Sequence, residues 1–180
     1  MALLFSAFRI GVTSWDAGER RVIETNNLVI VQNFLRSRIS SAQPVFDDFS
    51  DDEKQFSFIG TENSLQFVSS LPARNGLQKF TLVFDEDKER KLKISVEPFF
   101  PTFDGDDSVK NEVILFEAIK QMDLSYFGSS SFGEEANWQN DWEDREYLPD
   151  LIKLDLRFHD KPEQSWPPFL VRFRVDSNQS

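Results

Sequence analysis

No proline falls between residues 3 and 43, and Pro44 then closes the stretch. Proline bars the residue before it from helical geometry, so Pro44 is a stop signal. Inside the stretch apolar residues recur at steps of three and four, which reads as one long helix over residues 3–43. At about 1.5 Å per residue, some 40 residues would reach roughly 60 Å. Two stripes differ along it. Phe5, Phe8, Val12 and Trp15 fall at i, i+3, i+7 and i+10, with little charge before Asp16. Leu28, Val31, Leu35, Ile39 and Ala42 form a second stripe, flanked by Phe34 and bordered by Arg36 and Arg38. The second stripe reads as packed on the chain's own domain. The first has no such partner.

Beyond Pro44 the period falls from 3.6 to 2. An acidic loop, Asp47 to Glu53, leads into short runs at Phe56 to Ile59, Leu65 to Leu71, Leu77 to Phe84 and Leu92 to Val96. Phe80, Leu82, Phe84 and again Leu92, Ile94, Val96 alternate with polar residues, as half-buried strands require. The polar link Asp85 to Lys91 reads as a hairpin loop, and a Pro-Asp-Gly loop runs from Pro98 to Ser108. Further strands are expected at Val113 to Ile119, Met122 to Phe127, Leu151 to Phe158 and Phe169 to Val175. A long polar loop, Gly128 to Leu148, holds Trp138 and Trp142. The expected fold class is α+β, with a long N-terminal α-helix packed on antiparallel β-sheets. No boundary is evident, so residues 1–180 read as a single domain, helix over 1–43 and a globular β-rich part over 44–180.

Charge and residue inventory narrow the function. The net charge of −11 repels phosphate backbones and anionic membrane surfaces, which argues against nucleic acid as partner. Cysteine is absent, so thiolate metal sites and thiol nucleophiles are impossible. His159 is the one imidazole, and a Ser-His-Asp arrangement or multi-histidine metal site would have to pass through it. The apolar run Ala2 to Phe8 is broken by Arg9, far short of a membrane-spanning helix, and lacks the marks of a signal peptide. As it stands the chain reads as soluble. Nineteen phenylalanines and 39% hydrophobic residues are enough for a substantial core.

Several segments together carry a family resemblance. They are LRSRISSAQP (Leu35 to Pro44), FIGTENSLQFVSSLP (Phe58 to Pro72) with Gly76 and Leu77, and MDLSYFG (Met122 to Gly128). Trp138 and Trp142 follow, then YLPDLIKLDL (Tyr147 to Leu156) and SWPPFLVRF (Ser165 to Phe173). In this order and spacing the chain resembles the J family of type II secretion minor pseudopilins, nearly from end to end. The family's prepilin leader, its N-methylated phenylalanine and most of its apolar helix have no counterpart in this sequence. Membrane anchoring would need them.

The resemblance implies a pseudopilin fold, no enzymatic activity and no cofactor. It implies partners, the I-type and K-type minor pseudopilins, joined in a heterotrimer that caps the growing pseudopilus. It places this fragment in the periplasm and the full-length form in the inner membrane before assembly. The exposed stripe Phe5, Phe8, Val12 and Trp15 is then the expected partner-binding site, since such stripes mark interfaces. Fold-back of that stripe onto the β-domain is the plainer alternative.

Other features have weaker readings. Trp138 and Trp142 beside Glu134, Glu135, Asp141, Glu143 and Asp144 invite comparison with a sugar platform and paired carboxylates. Aromatics that pin a long loop, among solvated acids, are the commoner case. His159 continues the polar face Lys153, Asp155, Arg157 of an alternating strand and reads as an exposed structural histidine. Asp104, Gly105, Asp106 and Asp107 offer hard oxygen ligands without the EF-hand spacing, and Asp47 to Glu53 reads equally as a charged loop. No metal is expected at either. A minor pilin of a type IV pilus would share the same build, and a carbohydrate-binding β-domain is the more distant rival.

Overall fold

Alternating apolar and polar residues fill most of the chain after Pro44, and sheets follow from that pattern. The computed structural model describes residues 20–47, 55–71, 76–86, 90–100, 111–131, 133–159 and 166–173. The chain divides into two units, Met1–Asn33 and Phe34–Ser180.

The expected helix over residues 3–43 is corrected here. The described helix, α1 (Arg20–Ser40), has 21 residues, about 31 Å, and three antiparallel sheets carry the fold instead. The architecture is therefore mainly β with one short described helix, not a long helix packed on sheets. Residues 3–19 lie outside the described residues. Among the described residues the helix begins at Arg20, and the period-2 alternation that follows Pro44 makes sheets the dominant element. At the other end α1 stops short of Pro44, and hydroxyls take over its last carbonyls. Ser41 Oγ donates to the Ser37 carbonyl at 2.7 Å, and the Ala42 amide donates to that of Ile39 at 3.0 Å.

Within α1 the second stripe is as read: Leu28, Val31, Leu35, Ile39, and Ala42 just beyond, are all buried. In the second unit the end of α1 lies on the inner face of the larger sheet. The Phe34 ring meets Phe80 edge-on at 6.4 Å, Ser41 Oγ and Ser69 Oγ are 3.0 Å apart, and Arg38 donates to the Ser70 carbonyl.

That sheet has five strands in the order β3-β4-β5-β6-β7: β3 (Ile59–Gly60), β4 (Ser64–Ser70), β5 (Leu77–Asp85), β6 (Lys91–Pro98) and β7 (Asn111–Phe116). All neighbours are antiparallel. Leu82 pairs with Leu65 on one side and Ile94 on the other, so all three point inward and are buried. Outward positions hold Lys79, Lys93, Glu97 and Glu112, with Lys79–Glu97 at 2.9 Å and Lys93–Glu112 at 3.6 Å. A two-stranded ribbon, β1 (Phe46–Asp47) and β2 (Gln55–Phe56), precedes it. The expected run Phe56 to Ile59 is thus divided between β2 and β3, with Ser57 and Phe58 buried between them.

The second sheet has four strands in the order β11-β10-β8-β9: β8 (Ile119–Gly128), β9 (Asn137–Gln139), β10 (Leu151–Phe158) and β11 (Phe169–Arg172). The expected run Val113 to Ile119 breaks at Glu117 and Ala118, because there the chain leaves one sheet for the other. Ala118 sits at φ 55°, a left-handed conformation that fits a corner and not a strand. Its carbonyl accepts the His159 amide at 3.0 Å, and the Arg90 carbonyl accepts the Ile119 amide at 3.0 Å.

Candidate functional site

The two larger sheets are joined where the segments Phe58 to Pro72, Met122 to Gly128 and the tryptophan loop meet. Tyr126, fully buried on β8, points at β3. Its hydroxyl donates to the Thr61 carbonyl at 2.8 Å, with the Ser64 carbonyl at 3.3 Å. Burial, then the negative charges of Asp141 and Glu143, push the Tyr126 hydroxyl well above the ordinary tyrosine pKa, so it stays a donor. The ring leaves no room at Gly60, where an added Cβ would stand 2.3 Å from Tyr126 Cζ. Phe58 closes the seam, edge-on to Tyr126 at 6.3 Å and to Phe173 at 5.6 Å.

Trp142 is the second keystone. It forms an isolated bridge with Gly60, its amide donating to the Gly60 carbonyl at 2.8 Å and its carbonyl accepting the Gly60 amide at 3.2 Å. Its Nε1–H donates to the Tyr147 carbonyl at 2.8 Å. The Arg145 guanidinium lies 4.6 Å from the centroid of its ring. A Cβ on Gly128 would come within 2.6 Å of the same indole. Trp142 is 0% exposed. It cannot stack on a ligand, and the pair Trp138 and Trp142 does not form one platform.

Trp138 does the opposite. It is 47% exposed on β9 and lies against the Phe127 ring at 5.3 Å. Around it the loop is held in place by its own hydrogen bonds. Gln139 Nε2 donates to the Gly128 carbonyl at 3.0 Å, Arg145 Nη2 to Gln139 Oε1 at 2.7 Å, and the Tyr147 hydroxyl to the Ser129 carbonyl at 3.0 Å. Glu134, Glu135, Asp141, Glu143 and Asp144 are all exposed. So this loop is a pinned loop with solvated acids.

The expected partner-binding residues Phe5, Phe8, Val12 and Trp15 lie outside the described residues. The described helix adds two apolar residues that the sequence reading passed over: Val29 and Ile30, 51% and 52% exposed. Val29 stands two heptads beyond Trp15 and three beyond Phe8, a spacing that was available to find it. His159 is exposed, as expected. The segment 104–107 and residues 48–53 lie outside the described residues. Among the described residues no group of three or more His, Cys, Asp or Glu side chains is placed to hold a metal ion. An open depression of about 490 Å³ lies on the outer face of β5 to β7, lined by Thr81, Val83, Lys93, Ser95 and Glu112 among others. Its Lys93 and Glu112 are the ion pair already described. Among the described residues no helix is long and apolar enough to cross a membrane.

Comparison with known proteins adds an independent line. No protein-family model matches the chain. The chain is 24% identical over 179 residues to type II secretion system protein J of Xanthomonas campestris pv. campestris, covering 95% of this chain and 83% of that protein. The similarity runs nearly end to end, over the same stretch of chain as the motifs that resemble the J family.

Proposed function

We propose that this protein is a minor pseudopilin of a type II secretion system, a structural component with no catalytic role. The observation that carries the reading is the similarity to a type II secretion J protein over nearly the whole chain. The seam supports it, because the J-like segments converge there on Gly60, Tyr126, Gly128 and Trp142, so what they specify is a scaffold. On this reading the β-rich part works in the periplasm, and the partners are the I-type and K-type minor pseudopilins. Phe5, Phe8, Val12 and Trp15 supply the apolar contacts, continued by the exposed Val29 and Ile30. A type IV minor pilin would use similar contacts, but the similarity is to a secretion protein.

The test is size-exclusion chromatography with light scattering on mixtures with the periplasmic parts of I-type and K-type counterparts. A 1:1:1 complex is expected, lost in a Phe8→Asp, Val12→Asp, Trp15→Asp variant. A folded native chain whose elution neither partner shifts would overturn the proposal.

A further inference from the structure

The outer face of the four-stranded sheet carries an apolar row that nothing above uses. Register places Arg172 opposite Leu151, Leu151 opposite Phe127 and Phe127 opposite Trp138. These positions alternate with the buried Ile152, Tyr126 and Val171, so the row faces away from the core. Leu151 and Phe127 are half-buried, Trp138 is 47% exposed, and Leu170 on β11, one pleat along, is 43% exposed. Outward positions of an antiparallel sheet are normally polar, and on the larger sheet Val83 and Ile114 are exposed singly among Lys79, Lys93, Glu97 and Glu112. Four apolar side chains across four strands break that rule.

Charge says what kind of molecule fits. The row is bordered by the loop that leaves β8 after Gly128 and re-enters β10 at Leu151. Between residues 129 and 150 this loop has seven carboxylates, Glu134, Glu135, Asp141, Glu143, Asp144, Glu146 and Asp150, and one cation, Arg145, a net of −6 out of the chain's −11. All seven carboxylates are exposed. Arg145 is turned inward, donating to Gln139 Oε1 and the Ser130 carbonyl beneath its stack on Trp142. On the opposite flank Lys153 is paired with Asp155 at 2.6 Å, and Arg172 ends the row. The face is therefore apolar along its middle, and the edge strand that carries Trp138 is flanked along the chain by the exposed carboxylates Glu134, Glu135 and Asp141.

We infer that this face docks a cationic amphipathic polypeptide segment. Its aliphatic or aromatic side chains cover Leu151, Phe127 and Trp138, and its lysines or arginines lie over the acidic loop. The assignment does not rest on the secretion reading, and it concerns a surface apart from Phe5, Phe8, Val12 and Trp15. The loop's internal hydrogen bonds fix the strand that carries Trp138 before binding, which keeps the ordering cost of docking low. Long-range attraction is screened within about 8 Å at physiological ionic strength, so the loop's contribution fades with salt.

The probe is a capped twelve-residue peptide of alternating leucine and arginine, titrated at low and high salt by calorimetry. An equally charged serine–arginine peptide and a leucine–glutamate peptide are run alongside. The leucine–arginine peptide is expected to bind, with backbone amide shifts centred on Phe127, Trp138, Leu151 and Leu170. Affinity should fall about tenfold in Trp138→Ala. It should fall similarly in Glu134→Gln, Glu135→Gln, Asp141→Asn, with most of the salt dependence gone. Leu170→Ser, at the far end of the row, should weaken binding several-fold and guards against a folding defect at Trp138. Equal binding by the serine–arginine peptide, equal binding by the variants, shifts away from this face, or no binding at all would each overturn the assignment.

Discussion

At the scale of single residues, this protein depends on two glycines and the two aromatic rings that occupy the space a side chain would need. Gly60→Ala puts a methyl group 2.3 Å from Tyr126 Cζ, and neither the seam nor the ring can retreat without breaking the hydrogen bond to Thr61. Overpacking of that kind in a closed core costs about 3 kcal/mol. Chemical denaturation should show a midpoint shift of that order for Gly60→Ala, whereas Gly76→Ala, where nothing lies within 4 Å, pays only for its φ of +90°. Tyr126→Phe keeps the packing and removes the donor, leaving the Thr61 carbonyl without it, for a loss of about 1–2 kcal/mol.

The same tyrosine makes a pH prediction. Its pKa is raised above the model-peptide value of 10.0 by burial, then by Asp141 and Glu143. A raised folded-state value means the protonated form is favoured in the fold. That stabilisation is complete below about pH 10 and is lost as pH climbs beyond it, when the unfolded chain ionises and the folded seam resists. Thermal melts from pH 8 to 11 should fall more steeply for the native protein than for Tyr126→Phe. Parallel curves would remove Tyr126 from the account. None of this was legible in the sequence, where Tyr126 was one letter in a strand and Gly60 one in a motif. Close approach between sheets is set by tertiary contact.

At the scale of elements, legibility followed the strength of the periodic signal. The strand Leu151–Phe158 was read to the residue, because its alternation is unbroken and Pro149 marks its start. Leu77–Asp85 and Lys91–Pro98 came out within two residues of the expected ends for the same reason. β9 was missed inside the long loop, since three residues carry no period. The split of Phe56 to Ile59, and of Val113 to Ile119, was missed because a chain that changes sheets keeps its apolar residues while changing partners. The helix, expected over residues 3–43 from its apolar spacing and lack of proline, is described over Arg20–Ser40. The last two turns of α1 carry its described contacts with the second unit's sheets. There Leu35 is 0% exposed and Arg36 Nη1 donates to the Leu170 carbonyl at 2.6 Å, with its guanidinium 4.9 Å from the Phe169 ring centroid. Leu35→Ala should cost about 2–5 kcal/mol, the range for emptying a packed leucine site. In a domain of this size 3 kcal/mol corresponds to a melting shift of roughly 6–12 °C, measurable by calorimetry. Arg36→Ala, which loses one charge-assisted bond at an exposed position, should cost less than Leu35→Ala.

At the scale of the whole molecule, the likeness to a type II secretion J protein was legible from the order of several weak motifs, and the composition supplied only exclusions. Most of the J-like segments contribute to the seam, through Phe58, Gly60, Tyr126, Trp142 and Phe173, while Leu35 to Pro44 lies against the larger sheet. The site expected on Phe5, Phe8, Val12 and Trp15 is outside the described residues, so the partner reading stands on similarity and on the exposed Val29 and Ile30. The tryptophan loop divides into a buried half that builds the scaffold and an exposed half available to a partner. A scaffold protein of an export machine should be dispensable for growth and required for export. The direct measurement is to delete the gene in its own host and compare extracellular with periplasmic proteins by quantitative mass spectrometry. Exported proteins should be retained in the periplasm, and the native gene should restore them to the medium while a Phe8→Asp, Val12→Asp, Trp15→Asp copy does not. Unchanged export in the deletion strain would contradict a role in type II secretion.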